Sequence, residues 1–382
     1  MQTSPPAPPA ATEIRVERAQ YHLLVPVDVE GQAYWFIVDS GAAASVIDLG
    51  LARLLGWPLG QSFDAGGAGG GSVAGAVLPR PVGVSVAGVV PHTLVAALDL
   101  SGLTSAEGRP LAGILGGDFL RRFVVEINYQ APAIRLHDPA ERIQTANQLP
   151  LTFQIGHPHL TGSVGLPDGR ELALDFVVDL GSNLAVGITQ PVVEREHLNA
   201  AIRPRIRYPV GRGIGGAAEA GVGLLASLRL GVSQLTEVPV ALFGEGAGVL
   251  TTGAYFEANL GGAVLSRFTV FLDYGRSLIG LEPNAQSGPI EFDSSGLILG
   301  LAEDGEVMVS SVIPASPATD AGLAIGDRIV AVGPEPVTAQ GLDRLRTMLR
   351  KPGLAVQLRI RNRGAERTVT LTTRSLLGQK AR

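Results

Sequence analysis

Two short runs of this chain carry residues suited to acid–base chemistry. Tyr34–Gly41 reads YWFIVDSG and Leu174–Gly181 reads LDFVVDLG. Each is rich in β-branched and aromatic residues and ends in Asp-x-Gly, and Asp179 follows Asp39 by 140 residues. Two carboxylates held close together repel too strongly for both to ionise, so they share one proton. One then accepts a proton from water while the other protonates a carbonyl. That is enough to hydrolyse a peptide bond with neither a metal nor a covalent nucleophile. Gly41 and Gly181 permit the tight turns that expose such carboxylates.

The elements around these turns occur twice. Leu115–Tyr129 (LGGDFLRRFVVEINY) aligns without a gap on Leu260–Tyr274 (LGGAVLSRFTVFLDY), 145 residues later. Two matched blocks in the same order, at nearly one offset, indicate a duplicated unit. Between the blocks each copy has a glycine-rich stretch, Gly66–Gly75 (GGAGGGSVAG) and Gly211–Gly223 (GRGIGGAAEAGVG). Apolar runs such as Val82–Val86 and Leu224–Leu230 follow and read as strands. Each unit is therefore strand, Asp-x-Gly turn, glycine-rich hairpin, strands, Leu-Gly-Gly, strand. Asp138–Pro150 is polar with Pro near both ends and reads as the connection between copies; Pro283–Pro289 reads as a second linker.

Composition supports a mainly β chain. Of 382 residues, 46% are hydrophobic and only 17% charged, with 50 Gly and 26 Pro, a turn-rich balance. The net charge of −5 without a basic face argues against nucleic-acid binding. With no cysteine, disulfides, cysteine catalysis and thiolate metal sites are excluded. No uninterrupted apolar run is long enough to predict a spanning helix. Met1–Thr12 (MQTSPPAPPAAT) reads as a disordered arm. Such an arm often follows a removed export signal, which slightly favours a periplasmic or secreted location. The six histidines are scattered. His157 and His159 form His-x-His, for which a surface loop outweighs a metal site. Asp118 has Ala263 at its counterpart position and reads as a capping or surface residue. Gly211–Gly216 (GRGIGG) lacks the helix of a nucleotide-binding loop. No metal or organic cofactor is expected.

Ile37–Ala42 (IVDSGA) and Ile114–Leu120 (ILGGDFL) resemble the Asp-[Ser/Thr]-Gly and Ile-Leu-Gly-x-Asp-Phe-Leu segments of retropepsin-like and pepsin-like aspartic proteases. The resemblance covers both copies, roughly Ile14 to Pro283. It implies two β-barrel lobes, an Asp39–Asp179 catalytic dyad, and supporting turns that include Ser40, Gly41, Gly181 and Ser182. The glycine-rich hairpins become flaps over an extended peptide, with Gly69, Gly70, Gly71, Gly213, Gly215 and Gly216 at their tips. The second turn departs from the pattern, because Leu180 stands where the family has Ser or Thr. Ser40 then faces a partner without a hydroxyl, while Ser182 is placed to bond the outer oxygen of Asp179. Leu180 also motivates a second reading, a degenerate protease fold acting as a peptide-binding adaptor.

The C-terminal stretch is distinct. Ser316–Leu323 (SPATDAGL) followed by Ile325–Ile329 (IGDRI) resembles the corresponding segment of bacterial PDZ domains. That resemblance implies a C-terminal peptide ligand added as a strand, its carboxylate held by a backbone loop. The candidate loop is Ser295, Gly296, Leu297 and Ile298, with Leu299–Leu301 as an alternative register. Leu342 and Leu345, on a helix, are placed to line the groove. The alternative is a PDZ domain that packs on the lobes and binds nothing. The expected organisation is an arm (1–13), lobe 1 (14–138), a linker (139–150), lobe 2 (151–283) and a PDZ domain (287–377).

Overall fold

In a computed structural model the chain is described over residues 11–67, 70–213, 216–245, 248, 252–286 and 288–379. The two repeats form two eight-stranded sheets with one strand order. In lobe 1 the order is Glu17–Ala19, His22–Val29, Gln32–Val38, Gly113–Leu115, Val46–Asp48, Val90–Leu98, Ser72–Val86, Ser62–Gly66. In lobe 2 it is Thr152–Gln154, His157–Gly165, Glu171–Asp179, Ala258–Gly261, Val186–Ile188, Ser233–Phe243, Gly216–Leu230, Ile206–Gly213. An extra pairing curls each sheet on itself, Val27–Asp28 with Ser85–Val86 and Ser163–Gly165 with Ser227–Arg229.

The strand leading to each aspartate is apolar because both its faces are covered. Phe36, Ile37 and Val38 are buried, as are Phe176, Val177 and Val178. Burying each such side chain contributes about 1.5–3 kcal/mol. Each of these strands pairs in parallel with the strand that enters Leu-Gly-Gly, Phe36–Val38 with Gly113–Leu115 and Phe176–Asp179 with Ala258–Gly261. Hence the two sequence blocks recur together. The glycines are needed for space: a Cβ on Gly116 would lie 2.7 Å from the Ala42 carbonyl, and one on Gly261 2.3 Å from that of Leu184.

A six-stranded sheet joins the lobes, in the order Thr12–Arg15, Ala133–His137, Val124–Asn128, Phe268–Asp273, Leu278–Pro283, Gln148–Pro150. Its central antiparallel pair takes one strand from each copy, Val124 opposite Asp273 through Asn128 opposite Thr269. One apolar core runs through both lobes. The expected arm and linker are shorter than read: Thr12 and Glu13 pair with Leu136 and Arg135, and Gln148–Pro150 pair with Leu278–Gly280. Each lobe's first hairpin turn crosses to the other lobe. Tyr21 packs on Gly262, and Gly156 lies on Gly117.

The C-terminal unit has its own core. Its sheet runs Leu297–Leu301, Val307–Val312, Arg328–Val332, Ala355–Asn362, Ala365–Thr372, with Glu335–Pro336 beside Arg328–Val332. The Ser-Pro-Ala motif starts the short helix Pro317–Asp320, where Thr319 Oγ1 accepts from Ser316 N at 2.9 Å. Asp327 Oδ2 accepts from Ala324 N at 3.0 Å and fixes the following turn. On the helix Leu342–Arg350 the buried residues are Leu342, Leu345 and Leu349. Among the described residues no helix is long and apolar enough to cross a membrane.

Candidate active site

The crossed hairpins and the shared sheet bring the two Asp-x-Gly turns face to face. In each turn the glycine N–H donates to the aspartate two residues before it, Gly41 to Asp39 Oδ1 at 2.7 Å and Gly181 to Asp179 Oδ1 at 2.9 Å. Each glycine also makes room for the opposite carboxylate. A Cβ on Gly41 would sit 2.7 Å from Asp179 Oδ1, and one on Gly181 2.3 Å from Asp39 Cγ. Any side chain at either position would separate the pair.

Ser40 is fully buried and bridges the lobes through its hydroxyl. Oγ donates to Val178 O at 2.6 Å and accepts from Leu180 N at 3.0 Å. The expectation that Ser40 lacks an answering partner is therefore corrected: the backbone of the Leu180 turn answers it. Leu180 itself is buried and joins the apolar core. Ser182 also departs from expectation. Its Oγ accepts from Leu184 N at 3.3 Å, and Asp179 Oδ2 is instead bonded by Asn259 Nδ2 at 2.6 Å. Asn259 precedes the second Leu-Gly-Gly. Its counterpart in the first copy is Ile114, so the repeat gave no hint of it.

The environments of the two acids differ. Burial, then the charge of Asp179, pushes Asp39 up to about 7, against the opposing pull of the Gly41 N–H and His22. Burial raises Asp179 as well, while donors from Asn259 and Gly181, the His22 charge and a hydrogen bond from Asp39 favour its ionised form. The pair shares one proton, and the donors gathered on Asp179 favour its ionised form.

His22 is a site residue that the sequence did not single out. It is buried at the start of its strand, with Nε2 2.9 Å from Gly181 O and Nδ1 3.0 Å from Glu107 Oε1. Burial opposes its charge, but Glu107, Gly181 and Asp39 outweigh it and raise the imidazole to about 9. It is thus a cation that donates to the carbonyl of the second Asp-x-Gly turn. Its counterpart is His157, since Leu24 pairs with the residue two before Asp39 and His159 with the residue two before Asp179. A histidine at the same distance ahead of both pairings was the available signal. His157 and His159 do not form a surface loop, as they begin a strand. His159 is buried, with Nδ1 2.8 Å from Asp175 Oδ2. Burial lowers His157. Asp118 braces the first turn, its Oδ1 accepting from Ser45 N at 2.9 Å and Ser45 Oγ at 2.6 Å.

The glycine-rich hairpins are Ser62–Gly66 with Ser72–Val86, and Ile206–Gly213 with Gly216–Leu230. Gly70, Gly71 and Gly216 are exposed at the hairpin ends, and Gly213 closes a strand. Gly69 and Gly215 lie outside the described residues.

In the C-terminal unit the proposed carboxylate loop has its N–H groups engaged from within. Ser295 N and Gly296 N donate to Asp293 at 3.1 and 2.7 Å, and Leu297 N donates to Ser295 Oγ at 3.0 Å. Ile298 is half-buried in the edge strand that follows. The open edge of that strand meets lobe 1, where Ser105 Oγ donates to Leu301 O at 2.9 Å. Leu345 belongs to the unit's own core, and Leu342, in the same core, also packs against Gly108 of lobe 1. The two leucines placed at the groove from sequence are buried rather than open to a ligand. Among the described residues no cluster of His, Cys, Asp or Glu is arranged to hold a metal ion.

Residues 25–119 match the family model for aspartyl proteases, and residues 308–362 match that for PDZ domains. The solved structure of basic 7S globulin from soybean is similar at a TM-score of 0.40 and 10% identity, covering 72% of this chain and 94% of that one. No curated protein matches.

Proposed function

This chain carries an aspartyl protease domain and, towards its C-terminus, a PDZ domain, and we propose that it is an aspartic endopeptidase working through Asp39 and Asp179. The observation that carries the reading is the pair of opposed Asp-x-Gly turns, each glycine leaving just enough space for the other lobe's carboxylate. A water held between the acids gives one proton to Asp179 as its oxygen attacks the scissile carbonyl. Asp39 gives its proton to the carbonyl oxygen, which yields a neutral tetrahedral diol. Collapse expels the amine, which takes a proton from Asp179, while a diol hydroxyl returns one to Asp39. The N–H of Asn259 and the His22 cation near the second turn favour the charged form of Asp179 throughout. Substrate lies extended under the two hairpins, bonded through its main chain. In this reading the PDZ domain acts on the catalytic lobes rather than by fetching substrate, in keeping with the internal bonds of its loop.

The test compares wild type with Asp39→Asn and Asp179→Asn on a diverse peptide mixture, from acidic to neutral pH, read by mass spectrometry. Wild type is expected to cleave, and each variant to lose about 10²–10⁴-fold in rate. Absence of cleavage at every pH, with all three proteins folded, refutes the peptidase and leaves the adaptor.

A further inference from the structure

The PDZ helix Leu342–Arg350 holds two separate segments of lobe 1. One is the short helix Ser101–Glu107 with its terminal Gly108. Arg346 Nη2 donates to Ala106 O at 2.5 Å and to Leu299 O at 2.7 Å, tying that helix to the edge strand of the PDZ sheet. Ser105 bonds the same edge, and Gly108 lies so close to Leu342 that a Cβ there would meet its methyl at 2.5 Å. The other segment is the first hairpin turn. Gln20 N donates to Asp343 Oδ1 at 2.8 Å, Gln20 Oε1 accepts from Arg350 at 3.0 Å, and the Arg350 guanidinium lies 4.9 Å from the centre of the Tyr21 ring. The first segment ends in Glu107 and the second leads into His22. Those two side chains form the buried pair that reaches Gly181.

We infer that the ligand of the PDZ groove is lobe 1 itself, the Ser101–Gly108 segment, and that this docking positions the second catalytic turn through Glu107, His22 and the Gly181 carbonyl. The open edge and the adjoining helix are where a peptide strand would add to a PDZ domain. Here the edge carbonyls of Leu299 and Leu301 are already bonded. A single helix thus fixes the backbone behind both members of the pair, and a buried charge pair keeps its strength only while its geometry is held. The catalytic consequence rests on the peptidase reading, whereas the docking and its reach to Gly181 do not.

The experiment uses the full chain with Arg346→Met and, as a half-exposed alternative that spares the PDZ core, Ser105→Asp. Hydrogen exchange is followed by mass spectrometry over residues 101–108, 19–22 and 179–183. Both variants are expected to speed exchange roughly tenfold in the first segment and measurably in 179–183, on the opposite lobe. Faster exchange confined to 101–108 would sink the coupling, and unchanged exchange at 101–108 would sink the docking. Glu107→Gln supplies the catalytic readout, because it retains the Ala106 contact and removes the charge behind His22. A roughly tenfold fall in kcat with KM unchanged is expected for a positioning role, and an unchanged kcat overturns it. If wild type cleaves nothing, the peptidase reading fails alone and the exchange data still decide the docking. A pool of peptides with free C-termini, titrated by fluorescence anisotropy, should not bind wild type. Binding that leaves 101–108 protected would refute the filled groove.

Discussion

The two Asp-x-Gly turns share a backbone and differ in nearly every polar group around it. Both aspartates accept from the glycine two residues on, and both turns close with a 3.4 Å bond, Ala42 N to Asp39 O and Ser182 N to Asp179 O. Beyond that they diverge. The first turn has Ser40, which reaches across the lobes; the second has Leu180, which fills core. Asp179 has Asn259 as a donor, while Asp39 has no side-chain amide at the matching position. His22 is held as a cation against Glu107, while His157 is lowered by burial. The lesson is that duplication preserves the parts that set where the chain goes, while the parts that set where the proton goes have separated.

The histidines offer the sharpest break of this comparison. His22→Phe leaves Glu107 buried and unpaired and should cost about 3–5 kcal/mol, whereas His157→Phe should cost under about 1 kcal/mol. Thermal melts of both variants check this. The sign of the pH dependence follows from the raised imidazole. The His22 contribution is fully present below its unfolded value of 6.5 and is lost as pH rises through about 9. Wild type should therefore lose melting temperature over that window, and His22→Phe should not.

Next in size is Asn259→Leu, which brings the second acid closer to the environment of the first. Losing a bond to a charged group costs about 1.5–3 kcal/mol, so kcat should fall roughly 10–100-fold. The pH–rate profile should also move upward, as Asp179 holds its proton to higher pH. A profile that stays in place would argue that Asn259 does not tune the pair.

Ser40→Ala removes the cross-lobe bridge and leaves Val178 O and Leu180 N buried, at a cost of about 1–3 kcal/mol. Urea unfolding measures it. The smallest effect is expected for Leu180→Thr, which would symmetrise the turns. A new hydrogen bond contributes about 0.5–1.5 kcal/mol, and lost apolar burial costs about 0.8 kcal/mol per methylene. Two buried carbons are lost, so stability should fall by up to about 1 kcal/mol while the rate changes little. A large gain in kcat would show that Leu180 limits the proposed activity.

The repeat made the fold legible, because strand, turn and Leu-Gly-Gly are local patterns fixed by sterics within one copy. The aspartates were legible for the same reason. Asn259, His22 and Glu107 were not, since each acts on a group brought to it by tertiary packing. Glu107 and His22 stand 85 residues apart in sequence. Ser40 was misjudged because side chains were matched with side chains, whereas its partners are main-chain groups. The PDZ unit was legible through the Ser316–Leu323 and Ile325–Ile329 segments, which form one contiguous local motif. The docking of its helix on lobe 1 was not, because that depends on which surface the domain meets.

The central sheet, in which Val124–Asn128 of one copy pairs with Phe268–Asp273 of the other, joins two like halves inside a single chain. In a true homodimer every substitution appears twice, and a residue suited to only one half is imposed on both. Here residue 180 is Leu while residue 40 is Ser, and Asn259 stands where the other copy has Ile114. Covalent linkage also makes pairing of the halves independent of protein concentration, so dilution should not separate the two acids. A single chain thereby lets its two halves be told apart, residue by residue.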